Sequence, residues 1–142
     1  MRINLRVAQY EDIEALERGH PAVTHRLYTN LRLHLRSKWS DPLRAIVDTG
    51  APYSVIPHDL ATQLLATPLY RTRMGGLVPK EYMYGTMVET ECMAADGENT
   101  SEPFKIRAIV ADKSGIPLLL GLHGIIDKKE LVSRIASRQA WI

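Results

Sequence analysis

Ala45-Ile46-Val47-Asp48-Thr49-Gly50-Ala51, with Ser54-Val55-Ile56 three positions further on, is the stretch that decides the fold of this chain. Two apolar β-formers lead into a carboxylate, and the carboxylate stands on a tight Thr-Gly turn. A strand ending in this way holds an acid where it can activate a water. Asp and Gly are also common turn residues, so the triplet taken alone fits a plain turn as well. The flanks separate the two readings. Upstream, Leu27, Thr29, Leu31, Leu33 and Leu35 alternate with Tyr28, Asn30, Arg32, His34 and Arg36. That period of two predicts an antiparallel strand with one buried face. Ser37 to Pro42 reads as a turn and Leu43 to Val47 as the next strand, so a hairpin delivers Asp48.

Downstream, Val55-Ile56 is a short extended piece, and Pro57 opens a short helix through Asp59, Leu60, Gln63 and Leu64. Gly75-Gly76 marks a turn with unusual backbone angles. Tyr82 to Met93 is rich in β-formers, and Gly85 inside it signals a bulge or a close backbone approach. Asp96-Gly97 and Asn99 form a turn, Phe104 to Val110 a strand, and Pro117 to Leu120 a buried strand. Leu131, Ile135 and Arg138 lie at helical spacing and predict a helix over Asp127 to Arg138. At the other end, Glu11 to Arg18 has a helical pattern closed by Gly19-His20-Pro21. Residues 1–25 are read as an N-terminal extension of uncertain structure, and residues 26–142 as one mainly β domain.

The bulk properties agree with a single globular unit. The chain has 142 residues, 45% of them apolar and 24% charged, which suffices for one sizeable core. Its 18 basic and 16 acidic residues are interspersed, and a net charge of +2 does not point to nucleic acid or an anionic membrane surface. The lone cysteine, Cys92, excludes an intrachain disulfide framework and reads as a small buried hydrophobe. Arg and Glu interrupt the first thirty residues, unlike a signal peptide. The longest apolar run, Ile116 to Leu120, is too short to span a bilayer. A soluble, reducing, cytoplasmic setting is the expectation.

With both ends of this layout in hand, the chain resembles the retropepsin family of aspartic proteases, in their single-domain cellular or bacterial form. Ile46-Val47-Asp48-Thr49-Gly50-Ala51 with Ser54-Val55-Ile56 resembles the catalytic motif. Leu118-Leu119-Leu120-Gly121, followed by Leu122-His123-Gly124-Ile125-Ile126, is similar to the apolar-apolar-Gly segment that leads into the family's C-terminal helix. Gly75-Gly76 occupies the place of the flap hairpin. The resemblance covers roughly residues 27 to 138. It implies a barrel-like half of a pepsin with a flap hairpin and a C-terminal helix, acting on polypeptide without a cofactor or metal. Two departures stand out. Retroviral enzymes place Arg after the motif Gly, where this chain has Leu122. The Gly-Leu pair is more similar to the DNA-damage-inducible cellular proteases, which continue with an acid where this chain has His123. Residues 71–86 also carry fewer glycines than a viral flap.

Hydrolysis by carboxylates alone needs a pair, one taking a proton from water and the other donating to the amide oxygen. Two such groups a few ångströms apart cannot both ionise, so they share one proton. One Asp-Thr-Gly is present, and Asp112-Lys113-Ser114-Gly115 is not a second copy because Lys113 breaks it. A two-fold axis is therefore expected to supply the second Asp48 from another copy of the chain, making a homodimer necessary for activity. In this picture Gly50 lets its N–H approach the carboxylate, Thr49 offers a hydroxyl across the axis, and Ala51 leaves room for substrate. Gly121 lets its strand pass behind the active-site loop, and Gly75 and Gly76 close over an extended peptide and exclude water. Tyr82 and Tyr84 are read as packing residues that can also offer hydroxyls near that lid.

Other chemistries find little support. His20, His25, His34, His58 and His123 show neither an i, i+4 pair beside a glutamate nor a Cys-X-X-Cys partner. No Gly-X-Ser-X-Gly elbow and no phosphate-binding loop is present. The alternative within the same fold is a catalytically silent domain that dimerises or binds an extended peptide.

Overall fold

The computed structural model describes residues 2–75 and 82–142. Among the described residues ten strands make one continuous sheet in the order β5-β6-β7-β4-β8-β3-β2-β1-β10-β9. They are β1 (Asn4–Glu11), β2 (Val23–Leu33), β3 (Leu43–Val47), β4 (Ser54–Ile56) and β5 (Ala66–Met74). The second half contributes β6 (Met83–Ala95), β7 (Phe104–Ala111), β8 (Leu119–Leu120), β9 (Val132–Arg134) and β10 (Gln139–Trp141). The far end of β6 also pairs with β2, Cys92 lying opposite Leu33, so the sheet curls back on itself.

The apolar alternation along β2 accounts for this closure. Leu31 and Leu33 are buried inside the curl with Ile56, Ile106, Leu120 and Ile125. Cys92 joins them with no exposed surface, and burial pushes its thiol up to about 12, leaving it a neutral packing group. Tyr28, on the opposite face of β2, is buried too. Its hydroxyl lies 2.8 Å from that of Tyr10, and Arg44 stacks 4.7 Å from its ring. Gly85 marks a close approach and not a bulge. A Cβ there would lie 2.6 Å from both Ile109 Cγ2 and the Val110 carbonyl oxygen. The register shift of this hairpin falls instead in β5, between Pro68 and Tyr70.

The C-terminal segment departs from expectation. In place of a helix over Asp127 to Arg138, the chain makes a 3₁₀ turn (Ile126–Lys128), β9, a second 3₁₀ turn (Ile135–Ser137) and β10. Arg138 adopts a left-handed conformation (φ 54°) that reverses the chain, so β10 pairs with both β9 and β1. Leu131 and Ile135 have helical spacing, but five residues of local periodicity are outweighed by a ladder to a strand at the other end of the chain. Pro57 likewise opens only a single 3₁₀ turn, His58–Leu60.

Residues 1–25 contain β1, the start of β2, and between them a one-turn helix, α1 (Ile13–Glu17). Asp12 caps α1 by accepting from the Ala15 N–H at 3.0 Å. The first residues of β1 are clasped by Asp96 in the turn after β6. Its carboxylate accepts from the Asn4 backbone (2.9 Å) and side chain (3.1 Å), and from the Asn99 (2.8 Å) and Glu98 (3.0 Å) N–H groups. These donors, Asn4 first, hold the carboxyl at about 2 instead of 3.8. A depressed carboxyl contributes stability that is present above its unfolded value and lost as pH falls through the folded one. Asp96→Ala is therefore expected to lower the melting temperature at neutral pH, and to flatten the wild-type loss of stability between pH 4 and 2. Thermal melts across that acid range check both effects.

Candidate active site

Asp48 is half-buried at the end of β3, which runs between β2 and β8. The parallel ladder to β8 pairs Ile46 with Leu119 and Val47 with Leu120, and the Asp48 N–H donates to the Leu120 carbonyl at 2.9 Å. The chain then turns at once. The Gly50 N–H donates to Asp48 Oδ1 at 2.9 Å, and the Ala51 N–H to the Asp48 carbonyl at 3.2 Å. A Cβ on Gly50 would stand 3.3 Å from the same carboxylate oxygen, so glycine admits the backbone donor without crowding. Thr49 is exposed on the turn.

Behind the turn lies the segment after β8. A Cβ on Gly121 would fall 2.4 Å from the Tyr53 carbonyl carbon and oxygen, and 2.8 Å from the Ala51 oxygen. The Gly121 N–H donates to the buried Ser54 hydroxyl (3.1 Å), the Leu122 N–H to the Ala51 carbonyl (2.9 Å), and the His123 N–H to the Pro52 carbonyl (3.0 Å). Three consecutive amides thus strap residues 51–54 in place.

The turn faces a cleft of about 590 Å³. Asp48, Gly50 and Ala51 form one side, and Val55, Ile109 and Leu119 the apolar back. Tyr70, Thr72, Met74 and Gly75, from β5 and its end, line the cleft as well, together with Pro52, Tyr53 and Met87. Among the described residues β5 pairs with β6 alone, and its Tyr70, Thr72 and Met74 line the cleft. Arg71 holds β5 from outside. Its guanidinium donates to Thr86 Oγ1 (2.9 Å) and forms a two-pronged pair with Asp112, one arm at 2.8 Å. Arg71 keeps the Asp112 carboxyl below the usual carboxylate range. A second hollow of about 410 Å³ borders Asp48 from the other side, lined by His25, Arg26, Ile46 and Pro117.

Of the residues singled out from sequence, Asp48, Gly50, Ala51 and Gly75 thus meet around one cleft, and Gly121 lies directly behind it. Gly76 lies outside the described residues. Tyr82 and Tyr84 are exposed and do not line the cleft, and the Arg73 guanidinium stacks on Tyr82 at 4.5 Å. Sequence reasoning missed Tyr53, Tyr70, Thr72 and Met74. The alternation Tyr70-Thr72-Met74 was the available signal, masked by the polar residues between. Among the described residues no group of three or more His, Cys, Asp or Glu side chains is arranged to hold a metal ion. None of the described helices is long and apolar enough to cross a membrane.

A mainly β sheet curled around its larger apolar core, with an Asp-Thr-Gly turn lining a cleft, is similar in fold to the aspartic proteases of retropepsin type. The crystal structure of a retropepsin-like aspartic protease from Rickettsia conorii superposes with a TM-score of 0.60 over 100% of this chain and 98% of that one. The two sequences are 14% identical, so the likeness is one of fold. No protein-family model matches the sequence, and no curated protein aligns with it.

Proposed function

We propose that this chain is an aspartic endopeptidase that cleaves extended polypeptide as a homodimer, with Asp48 of each copy forming the catalytic dyad. The observation that carries the reading is Asp48 itself: a half-buried carboxylate on a Gly turn, held by the Gly50 N–H, at the wall of a long cleft. The retropepsin-like fold neighbour supports the same reading.

In the dyad one carboxylate is ionised and the other protonated. The ionised oxygen takes a proton from water as the water oxygen attacks the scissile carbonyl carbon. The protonated partner donates to the carbonyl oxygen, giving a neutral tetrahedral diol. As the diol collapses, one hydroxyl passes its proton to the ionised carboxylate while the protonated carboxyl gives its own to the leaving nitrogen, breaking the C–N bond and restoring the singly protonated dyad. The two apparent pKa values belong to the pair. An extended peptide has β5 to pair with and apolar surface at Tyr53, Met74 and Met87 for its side chains. In the proposed dimer Thr49, exposed on the turn, donates its hydroxyl across the axis.

A shared site makes activity second order in chain at low concentration. Specific cleavage of a peptide library is expected to rise with protein concentration, in step with the dimer fraction from sedimentation. Full activity in a species that sediments as a monomer would overturn the dyad.

A further inference from the structure

His123 stands where neither the retroviral nor the cellular pattern places a histidine, and its contacts allow one protonation state. Its Nδ1 accepts from the Arg107 backbone N–H at 3.2 Å. A backbone N–H can only donate, so Nδ1 carries its lone pair and the ring proton resides on Nε2. Arg107 needs this acceptor. β4 pairs with β7 from Ala108 to Val110, one residue short of Arg107, and the imidazole takes the place of a strand there.

The other side of His123 reaches the cleft. Its N–H holds the Pro52 carbonyl at 3.0 Å, and its ring lies tilted against Tyr53 with centroids 5.8 Å apart. Both Pro52 and Tyr53 line the cleft beside Asp48. The segment has little room to shift, because a Cβ on Gly124 would lie 2.3 Å from the Lys105 oxygen. His123 is therefore wedged between the Asp48 turn and β7.

We propose that His123 is a positioning residue for the Pro52–Tyr53 wall of the cleft, that it acts only as the neutral imidazole, and that its protonation sets an acid limit on cleavage. The acid limit rests on the peptidase reading above. Protonation puts a second N–H at Nδ1, facing the Arg107 N–H. Two donors then oppose each other in a half-buried place, and the ring must turn away from β7 and from Tyr53. The charged groups on the surrounding elements do not offset this. On β7, the Arg107 guanidinium turns to Glu89 of β6 (Nε to Oε1 3.5 Å), and Lys105 is the other cation. On the segment of His123 itself, the Asp127 carboxylate accepts from the Gly124 N–H at 2.8 Å. From the Asp48 turn, Tyr53 is the titratable group set against the ring.

Side-chain ¹H–¹⁵N spectra, amide exchange and pH–rate profiles test this together. In the wild-type chain, His123 is expected as the Nε2–H tautomer at neutral pH, with Arg107 amide exchange accelerating as the ring titrates. His123→Asn keeps an acceptor near Nδ1 but does not titrate. Its neutral-pH kcat/KM should fall less than that of His123→Leu, and it should lose the part of the acid-side decline that follows the ring. His123→Leu should lower kcat/KM about fivefold at neutral pH, the weight of one ordinary hydrogen bond, and the gap to the wild type should close at acid pH, where the wild-type ring is protonated. An Nδ1–H tautomer, or an Arg107 amide indifferent to the titration, overturns the positioning role. An Asn profile that superimposes on the wild type overturns the acid limit and leaves the peptidase reading standing. The predicted tautomer and amide response in a chain that cleaves nothing uphold the positioning role, and overturn the peptidase reading and the acid limit with it.

Discussion

Asp48→Asn is expected to abolish peptide cleavage, with kcat falling at least about 10³-fold, within the range lost when a positioned acid–base group is removed. The substitution is nearly isosteric, and the Asn oxygen still accepts from the Gly50 N–H that holds Oδ1 at 2.9 Å. The turn and the dimer should therefore survive, and the melting temperature should stay close to that of the wild type. The amide neither takes a proton from water nor shares one with its partner, so the chemistry stops while the cleft remains. Digests of a peptide library by both chains from about pH 4 to 7, where a proton-sharing dyad operates, measure the effect. Wild-type cuts that vanish in the variant establish the dyad. If both chains bind a peptide equally and cleave none, the domain is a binding module and the catalytic reading falls.

The second large effect concerns Gly121. Alanine there would set a Cβ 2.4 Å from the Tyr53 carbonyl carbon and oxygen and 2.8 Å from the Ala51 oxygen. All three are backbone atoms of the segment held by the Gly121, Leu122 and His123 amides. No flexible side chain can give way, so relief requires the Asp48 turn to lift off β8. The cost should reach about 3 kcal/mol, the upper end for overpacking. For a chain of this length that lowers the melting temperature by roughly 10 °C. Because the displaced segment carries Ala51 and Tyr53, cleavage should fall more steeply than stability, even at temperatures where the variant is folded. Calorimetry and cleavage assays on the same samples separate the two losses. An unchanged melting temperature would mean that the turn is not clamped as described.

The elements that could be read from sequence share one property: their signal is local. β3 was legible from five residues leading into Asp48, and β2 from the alternation Leu27 to Leu33. Gly85 and Gly121 announced close approaches because a strand interior rarely spends a residue without a side chain. The Asp48 turn itself follows from Asp, Thr and Gly in that order, and its hydrogen bond spans two residues.

What misled was equally physical. Leu131 and Ile135 carry helical spacing, yet the decisive partners of that segment lie at the opposite terminus. Leu5 pairs with Ala140, and the Arg138 guanidinium reaches Gln9 at 2.8 Å across 129 positions. β5 is largely exposed and polar, so nothing in its own composition reports that it lines the same cleft as a carboxylate. Sequence by itself determined that a carboxylate stands at this turn, the strand and turn that present it, and the glycine that lets the chain pass behind. Only the tertiary structure decided which residues of β5 share the cleft, the joining of the two termini, and the contacts of His123. Turn chemistry and strand period act over a few residues, whereas ladders between distant strands and the contacts of an imidazole depend on what the whole chain brings beside them.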